Sequence, residues 1–99
     1  MRLFVAYCIM YIDIQEADSL KVKRNLLRSV KQRIRHDFNV SIAETGLLHT
    51  PVKGMLAAVS VSADRQYLEG QMSKMLDAVE RRFPGRLADN ELIVRHIEE

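Results

Sequence analysis

Two periodicities alternate along the chain, and the switches between them lay out six elements. Residues 3 to 14, LFVAYCIMYIDI, are rich in β-branched and aromatic types and run into polar QEAD, which predicts a first strand. One parity carries Ala6, Cys8, Met10, Ile12 and Ile14; the other carries Val5, Tyr7, Ile9 and Tyr11 before Asp13. Both faces are apolar, so this strand belongs in the middle of a sheet. From Ser19 to His36 the period lengthens. Leu20, Leu26, Leu27, Val30 and Ile34 fall in one arc of roughly 120° at about 100° per residue, a helix with one face for a sheet, and Phe38 extends that arc. Asp18 or Ser19 can cap its N-terminus by accepting from an unpaired backbone N–H. Asp37 and Asn39 break the pattern, and residues 38 to 45, FNVSIAET, alternate Val40 and Ile42 with Ser41 and Ala43 as a half-buried second strand does.

Gly46, Pro51 and Gly54 mark residues 46 to 54 as a hairpin loop, the stretch expected to move most. In the third strand, residues 55 to 62, Met55, Ala57, Val59 and Val61 share one face and Leu56, Ala58, Ser60 and Ser62 the other. Ser62 or Asp64 then opens a second helix, carried by Leu68, Met72, Met75, Leu76, Val79 and Phe83 and stopped by Pro84 and Gly85. Residues 91 to 97, ELIVRHI, predict a short last strand whose charges suit a sheet edge. The order β-α-β-β-α-β with two helices of similar length is the split β-α-β arrangement of ferredoxin-like domains. This is an α+β fold, with a four-stranded antiparallel sheet and both helices on one face. Its first and third strands are central. If Ala6, Cys8, Met10 and Ile12 meet the helices, Val5, Tyr7, Ile9 and Tyr11 lie on a face the monomer leaves open, and an apolar face of that size calls for a partner.

Ninety-nine residues, 47% of them hydrophobic, suffice for one core and therefore a single domain over residues 1–99. The net charge of +2 hides a strong asymmetry. Seven of the fifteen Lys and Arg residues fall between Ser19 and His36, where there is no acid, leaving eight bases against thirteen acids elsewhere. Five of the seven, Lys21, Arg24, Arg28, Lys31 and Arg35, step by three and four into a separate arc of roughly 80°. Lys23 alone falls inside the apolar arc. One cysteine, Cys8, excludes an intramolecular disulfide and fits a reducing compartment. The apolar run from Leu3 to Ile12 is broken by Tyr7 and Tyr11 and reads as a strand rather than a leader, and no stretch reaches the ~20 apolar residues that span a bilayer. The expected location is the cytoplasm, without membrane association.

The string Ser19-Leu20-Lys21-Val22-Lys23-Arg24, followed by Lys31 and by F-N-V-S-x-A-E from Phe38 to Glu44, resembles the YlxP-like family of small bacterial proteins, domain of unknown function 503. The likeness is close over the first half of the chain. Over the second half it rests on length, pattern and the S-x-D opening at Ser62 to Asp64. The resemblance implies a ferredoxin-like fold and no known enzymatic activity. Some members sit beside genes for transcription, translation initiation and ribosome maturation, which points towards RNA or ribosomes. Between Thr45 and Gly54 the chain departs from the family, where relatives often carry a Trp followed two positions later by Arg; Pro51 and Lys53 stand at those places here.

Three candidate sites follow. The stripe of Lys21, Arg24, Arg28, Lys31 and Arg35 suits a phosphate backbone, since cations one turn apart can displace successive counterions, whereas the plain alternative is a solvated helix face. No residue set here reads bases. Val5, Tyr7, Ile9 and Tyr11 suit a homodimer formed face to face. Base stacking as on RNA-recognition sheets is disfavoured because residues 55 to 62 contain no aromatic, and a partly exposed sheet is the third possibility. Lys23 needs a counter-charge, and the topology brings Glu44 to the same end of the sheet as the start of the first helix, so a structural Lys23–Glu44 pair is expected. His36, His49 and His96 lack metal-ligand spacing, so no metal or other cofactor is assigned. There is no phosphate-cradling glycine loop and no nucleophile beside a base; Glu44 with His49 is the nearest approach to an acid–base pair, and no small-molecule substrate is indicated. Cys8 reads as a small buried hydrophobe. The reading is a non-catalytic RNA- or ribosome-associated accessory protein acting through its basic first helix. The alternative is a homo-oligomeric structural or regulatory module acting through the open sheet face.

Overall fold

The computed structural model describes residues 1–15 and 19–97. Its elements run β1 (Leu3–Asp13), α1 (Leu20–Asp37), β2 (Ser41–Gly46), β3 (Lys53–Ser62), α2 (Arg65–Arg82) and β4 (Leu87–Ile97). The strands form one antiparallel sheet in the order β2-β3-β1-β4. This is the ferredoxin-like arrangement, with β1 and β3 central. Phe4, Ala6, Cys8, Met10 and Ile12 are buried in alternation along β1, and with Leu56 and Ala58 of β3 they form one core with Leu27, Val30 and Ile34 of α1 and Leu68, Met72, Met75 and Val79 of α2. Both helices therefore cover the same face. Helix α1 packs on β2 and β3, and α2 on β1, β3 and β4.

Each helix begins where a short polar side chain takes up orphan N–H groups. The Ser19 hydroxyl accepts from the Lys21 amide at 3.1 Å, and Asp64 accepts from Gln66 at 2.9 Å. Asp18, the other candidate cap of α1, lies outside the described residues. Gly85 follows α2 at φ +76°, a left-handed turn that glycine adopts without strain. Gly54 serves closer packing. A Cβ there would stand 2.8 Å from a Leu27 methyl, so a side chain on β3 at this point would force the Leu27 side chain to shift.

Several boundaries differ from the sequence reading. Strand β2 starts at Ser41, not Phe38, because Phe38 is the extended residue that ends α1, its N–H donating to the Ile34 carbonyl at 2.9 Å. Strand β4 starts at Leu87, four residues earlier than expected. Its first half, Leu87 to Asn90, is largely exposed along the sheet edge and so carries no apolar alternation. Leu20, counted with the core, is 43% exposed at the rim of the apolar arc, whereas Lys23 is 2% exposed near its centre. The hairpin loop is also tied down rather than loose. Strand β3 already begins at Lys53, the Ile14 N–H donates to the Val52 carbonyl at 2.9 Å, and the Thr50 N–H to the Leu47 carbonyl at 3.1 Å.

Candidate functional site

Lys23 shows what the loop is tied to. Its ammonium donates to the carbonyl oxygens of Leu47 and of Thr50, the latter at 2.8 Å, and lies 3.4 Å from a Glu44 carboxylate oxygen. An ammonium has three protons and finds three acceptors here, which is why a charge can occupy the middle of an apolar arc. Leu47 holds φ +56°, a left-handed conformation that costs about 1–2 kcal/mol for a residue with a Cβ. The sequence points to Glu44 as a partner for Lys23; the two carbonyls have no sequence signal, because any residue supplies one. Glu44 keeps a quarter of its side chain exposed. His49 lies exposed on the loop.

The basic stripe lies on the flank of α1 that overlooks β2, one of the two edge strands of the sheet. Lys21, Arg24, Arg28 and Arg35 are exposed and Lys31 is half-buried. Arg24 borders a shallow cleft with Glu44 and Leu48, and the Arg35 guanidinium donates at 2.8 Å to the Ile42 carbonyl on β2. Arg35 thus both caps the edge strand and ends the row. From Lys21 to Arg35 the row rises about 21 Å. Glu44, the acid beside Arg24, is engaged by Lys23; Asp37 lies 3.7 Å from Arg33 and accepts from the His36 ring at 2.8 Å, and Glu69 on α2 lies 3.8 Å from Arg65. The His36 hydrogen bond, then the charges of Arg33 and Arg82, lower the Asp37 pKa below its ordinary value.

On the opposite side of the sheet, Val5, Tyr7, Ile9 and Tyr11 lie half-buried in the isolated chain. Their cross-strand partners extend that face. Val61, Val59, Ala57 and Met55 stand beside them on β3, with Val59 39% and Val61 59% exposed, and Arg95, Ile93, Glu91 and Asp89 stand beside them on β4. Glu91, Ile93 and Arg95 fall in the strand expected from sequence; Asp89 lies in the exposed first part of β4, which the sequence pattern hides. Cys8 faces the core, and burial pushes its thiol pKa up to about 11. Among the described residues no group of three or more His, Cys, Asp or Glu side chains is placed to hold a metal ion, and no helix is long and apolar enough to cross a membrane.

A family model described as protein of unknown function (DUF503) matches residues 5–92. The chain belongs to the DUF503 family. Among curated proteins, this DUF503 chain is 34% identical over 77 residues to the uncharacterized protein YlxP of Bacillus subtilis (strain 168), an alignment covering 78% of each. Solved structures with a similar backbone include a protein of unknown function from Nitrosomonas europaea, at TM-score 0.55 and 7% identity over 98% of this chain and 90% of that one. Another is a dimeric ferredoxin-like protein of unknown function from Thermobifida fusca, at TM-score 0.55 and 9% identity over 96% and 92%. A third, from Bacillus cereus and named for antibiotic biosynthesis monooxygenases, has TM-score 0.51 and 9% identity over 100% and 96%. At such identities these likenesses establish the fold alone.

Proposed function

We propose that this DUF503 protein is a non-catalytic accessory protein of the cytoplasm that associates with RNA or ribosomes by laying α1 along a phosphate backbone. The observation that carries the reading is the row from Lys21 to Arg35 on one flank of an 18-residue helix, in a stretch of sequence without a single acid. Cations about one helical turn apart can each neutralise a phosphate and release a counterion, which favours any phosphate backbone and reads no sequence. Structured RNA should bind with a slope of log K against log salt of roughly −2 to −4, for three to five neutralised phosphates. Arg28→Glu with Lys31→Glu should weaken binding across all sequences alike and flatten the slope, leaving the fold intact because neither side chain is part of the core. A folded wild type that fails to bind RNA and to co-sediment with ribosomes at ~50 mM salt, where the counterion term is strong, would refute the reading.

A second reading is a homodimeric structural or regulatory module that works through the open sheet face. The exposure of Val59 and Val61 beside Tyr7 and Ile9 favours it, since a contiguous apolar face of several hundred Å² on a small domain marks an interaction surface. The two readings are compatible, the stripe and the open face being on opposite sides of the sheet.

A further inference from the structure

The register of the sheet specifies how two copies would meet. We infer that a second copy of this chain covers the open face about a two-fold axis running across the strands, so that Arg95 of each copy meets Asp89 and Glu91 of the other. This rests on the homodimer reading and adds its geometry. Along β4 the open face reads Asp89, Glu91, Ile93, Arg95, acid at one end and base at the other with an apolar residue between. Beside this row, β1 and β3 present only apolar side chains between Val5 and Tyr11 and between Met55 and Val61. Asp13 and Lys53 stand opposite one another at the far end, one charge of each sign.

Two stacked faces related by a two-fold have the axis in the plane between them, and when the strands of the two sheets stay aligned that axis runs either along the strands or across them. An axis along the strands would set β4 over β2 and put Glu91 over Ala43, burying a carboxylate without a partner, which is costly. An axis across the strands sets each strand on its own copy, reversed. The acidic end of β4 then lies over the basic end of its mate, twice, and the valines, Tyr7 and Ile9 stack between. Four strands at ~4.8 Å and ten residue steps at ~3.4 Å give a flat area of about 650 Å², before side-chain relief. That approaches the ~800 Å² per partner of a standard interface. Because α1 lies over β2 and β3, the two basic stripes come out on the same flank of this dimer, where one RNA can meet both.

The experiment is a charge swap followed by sedimentation at about 10 μM, a concentration at which even a micromolar dimer is mostly assembled. Wild type should be dimeric. Arg95→Glu alone, and Asp89→Lys with Glu91→Lys alone, should each weaken the dimer roughly tenfold or more, because like charges then face one another. An equimolar mixture of the two variants should form a heterodimer, since each swapped end then meets its opposite. Val59→Asp, or Val61→Asp at the more exposed position, should yield folded monomer; this separates face pairing from pairing along the β4 edge, which neither residue touches. A monomeric wild type would overturn the homodimer reading together with this geometry. A dimer broken by Val59→Asp yet indifferent to the swap would overturn the geometry alone, and a dimer that survives both valine variants would overturn the use of this face.

Discussion

Replacing Lys23 by Met should destabilise the protein far more than replacing Glu44 by Gln. The ammonium of Lys23 serves two main-chain carbonyls and one carboxylate, and its side chain is 2% exposed. Met keeps most of the aliphatic stem and its packing but leaves the Leu47 and Thr50 carbonyls without a donor, at about 1–3 kcal/mol for each buried group left unpaired. The loop is partly wet, with Leu48 57% exposed, so water recovers some of this. A loss of about 3 kcal/mol is expected, a large share of the ~5–15 kcal/mol that holds a domain folded. Glu44→Gln removes only a contact at 3.4 Å on a side chain that is one-quarter exposed, and the ammonium keeps both carbonyls, so about 1 kcal/mol or less is expected. In a Lys23→Met background, Glu44→Gln should cost almost nothing, which makes the pair measurable as a coupling energy. Urea unfolding followed by circular dichroism, with hydrogen exchange at residues 47 to 52, reads both the loss and its location. If Lys23→Met fell within ~0.5 kcal/mol of wild type, or cost less than Glu44→Gln, the carbonyl clamp would be the wrong account.

Two further outcomes concern titrating groups. With a pKa pushed up to about 11, the Cys8 thiol should resist a thiol reagent near pH 8 in the folded protein and react at once in urea; labelling of the native chain at the rate of the unfolded one would contradict its burial. Asp37 has its pKa lowered chiefly by the His36 hydrogen bond, so its contribution to stability is present above the ordinary carboxylate value and lost as pH falls through the lowered one. His36→Ala should bring the Asp37 titration, followed by NMR, back up towards the ordinary value, and an unmoved titration would assign the shift to Arg33 and Arg82 instead.

Sequence periodicity carried the fold because each element buries a face at its own period. The alternation of Ala6, Cys8, Met10 and Ile12 and the three-four steps from Leu68 to Val79 both mark residues that meet the core. Where side chains do not decide the structure, the signal failed. Leu87 to Asn90 form a strand through main-chain pairing with β1 and lie largely exposed, so their polarity resembled a loop. The hairpin loop looked free because its fastening is a lysine on another element, reaching carbonyls that every sequence possesses. Lys23 itself was legible as an anomaly, a charge among leucines, and the topology pointed to Glu44 as its counter-charge, whereas the two carbonyls it also serves left no trace in the sequence. Arg35 shows the converse. Helical spacing places it in the basic row, but nothing in that spacing tells that its guanidinium also closes the edge of β2 at Ile42.

The clamp on the hairpin loop has a consequence for how this protein can vary. Lys23 reads the loop through the carbonyls of Leu47 and Thr50, which belong to the backbone and survive any substitution that preserves the turn. Selection for this attachment therefore falls on a single lysine of α1 and on loop length, while the side chains along the loop are released from it. A loop anchored by its main chain can exchange aromatic for proline, or arginine for lysine, and still sit where the helix holds it. That is the position of Pro51 in the loop and of Lys53 where β3 begins, at which the chain leaves its family's common pattern while Lys23 holds the Thr50 carbonyl next to Pro51.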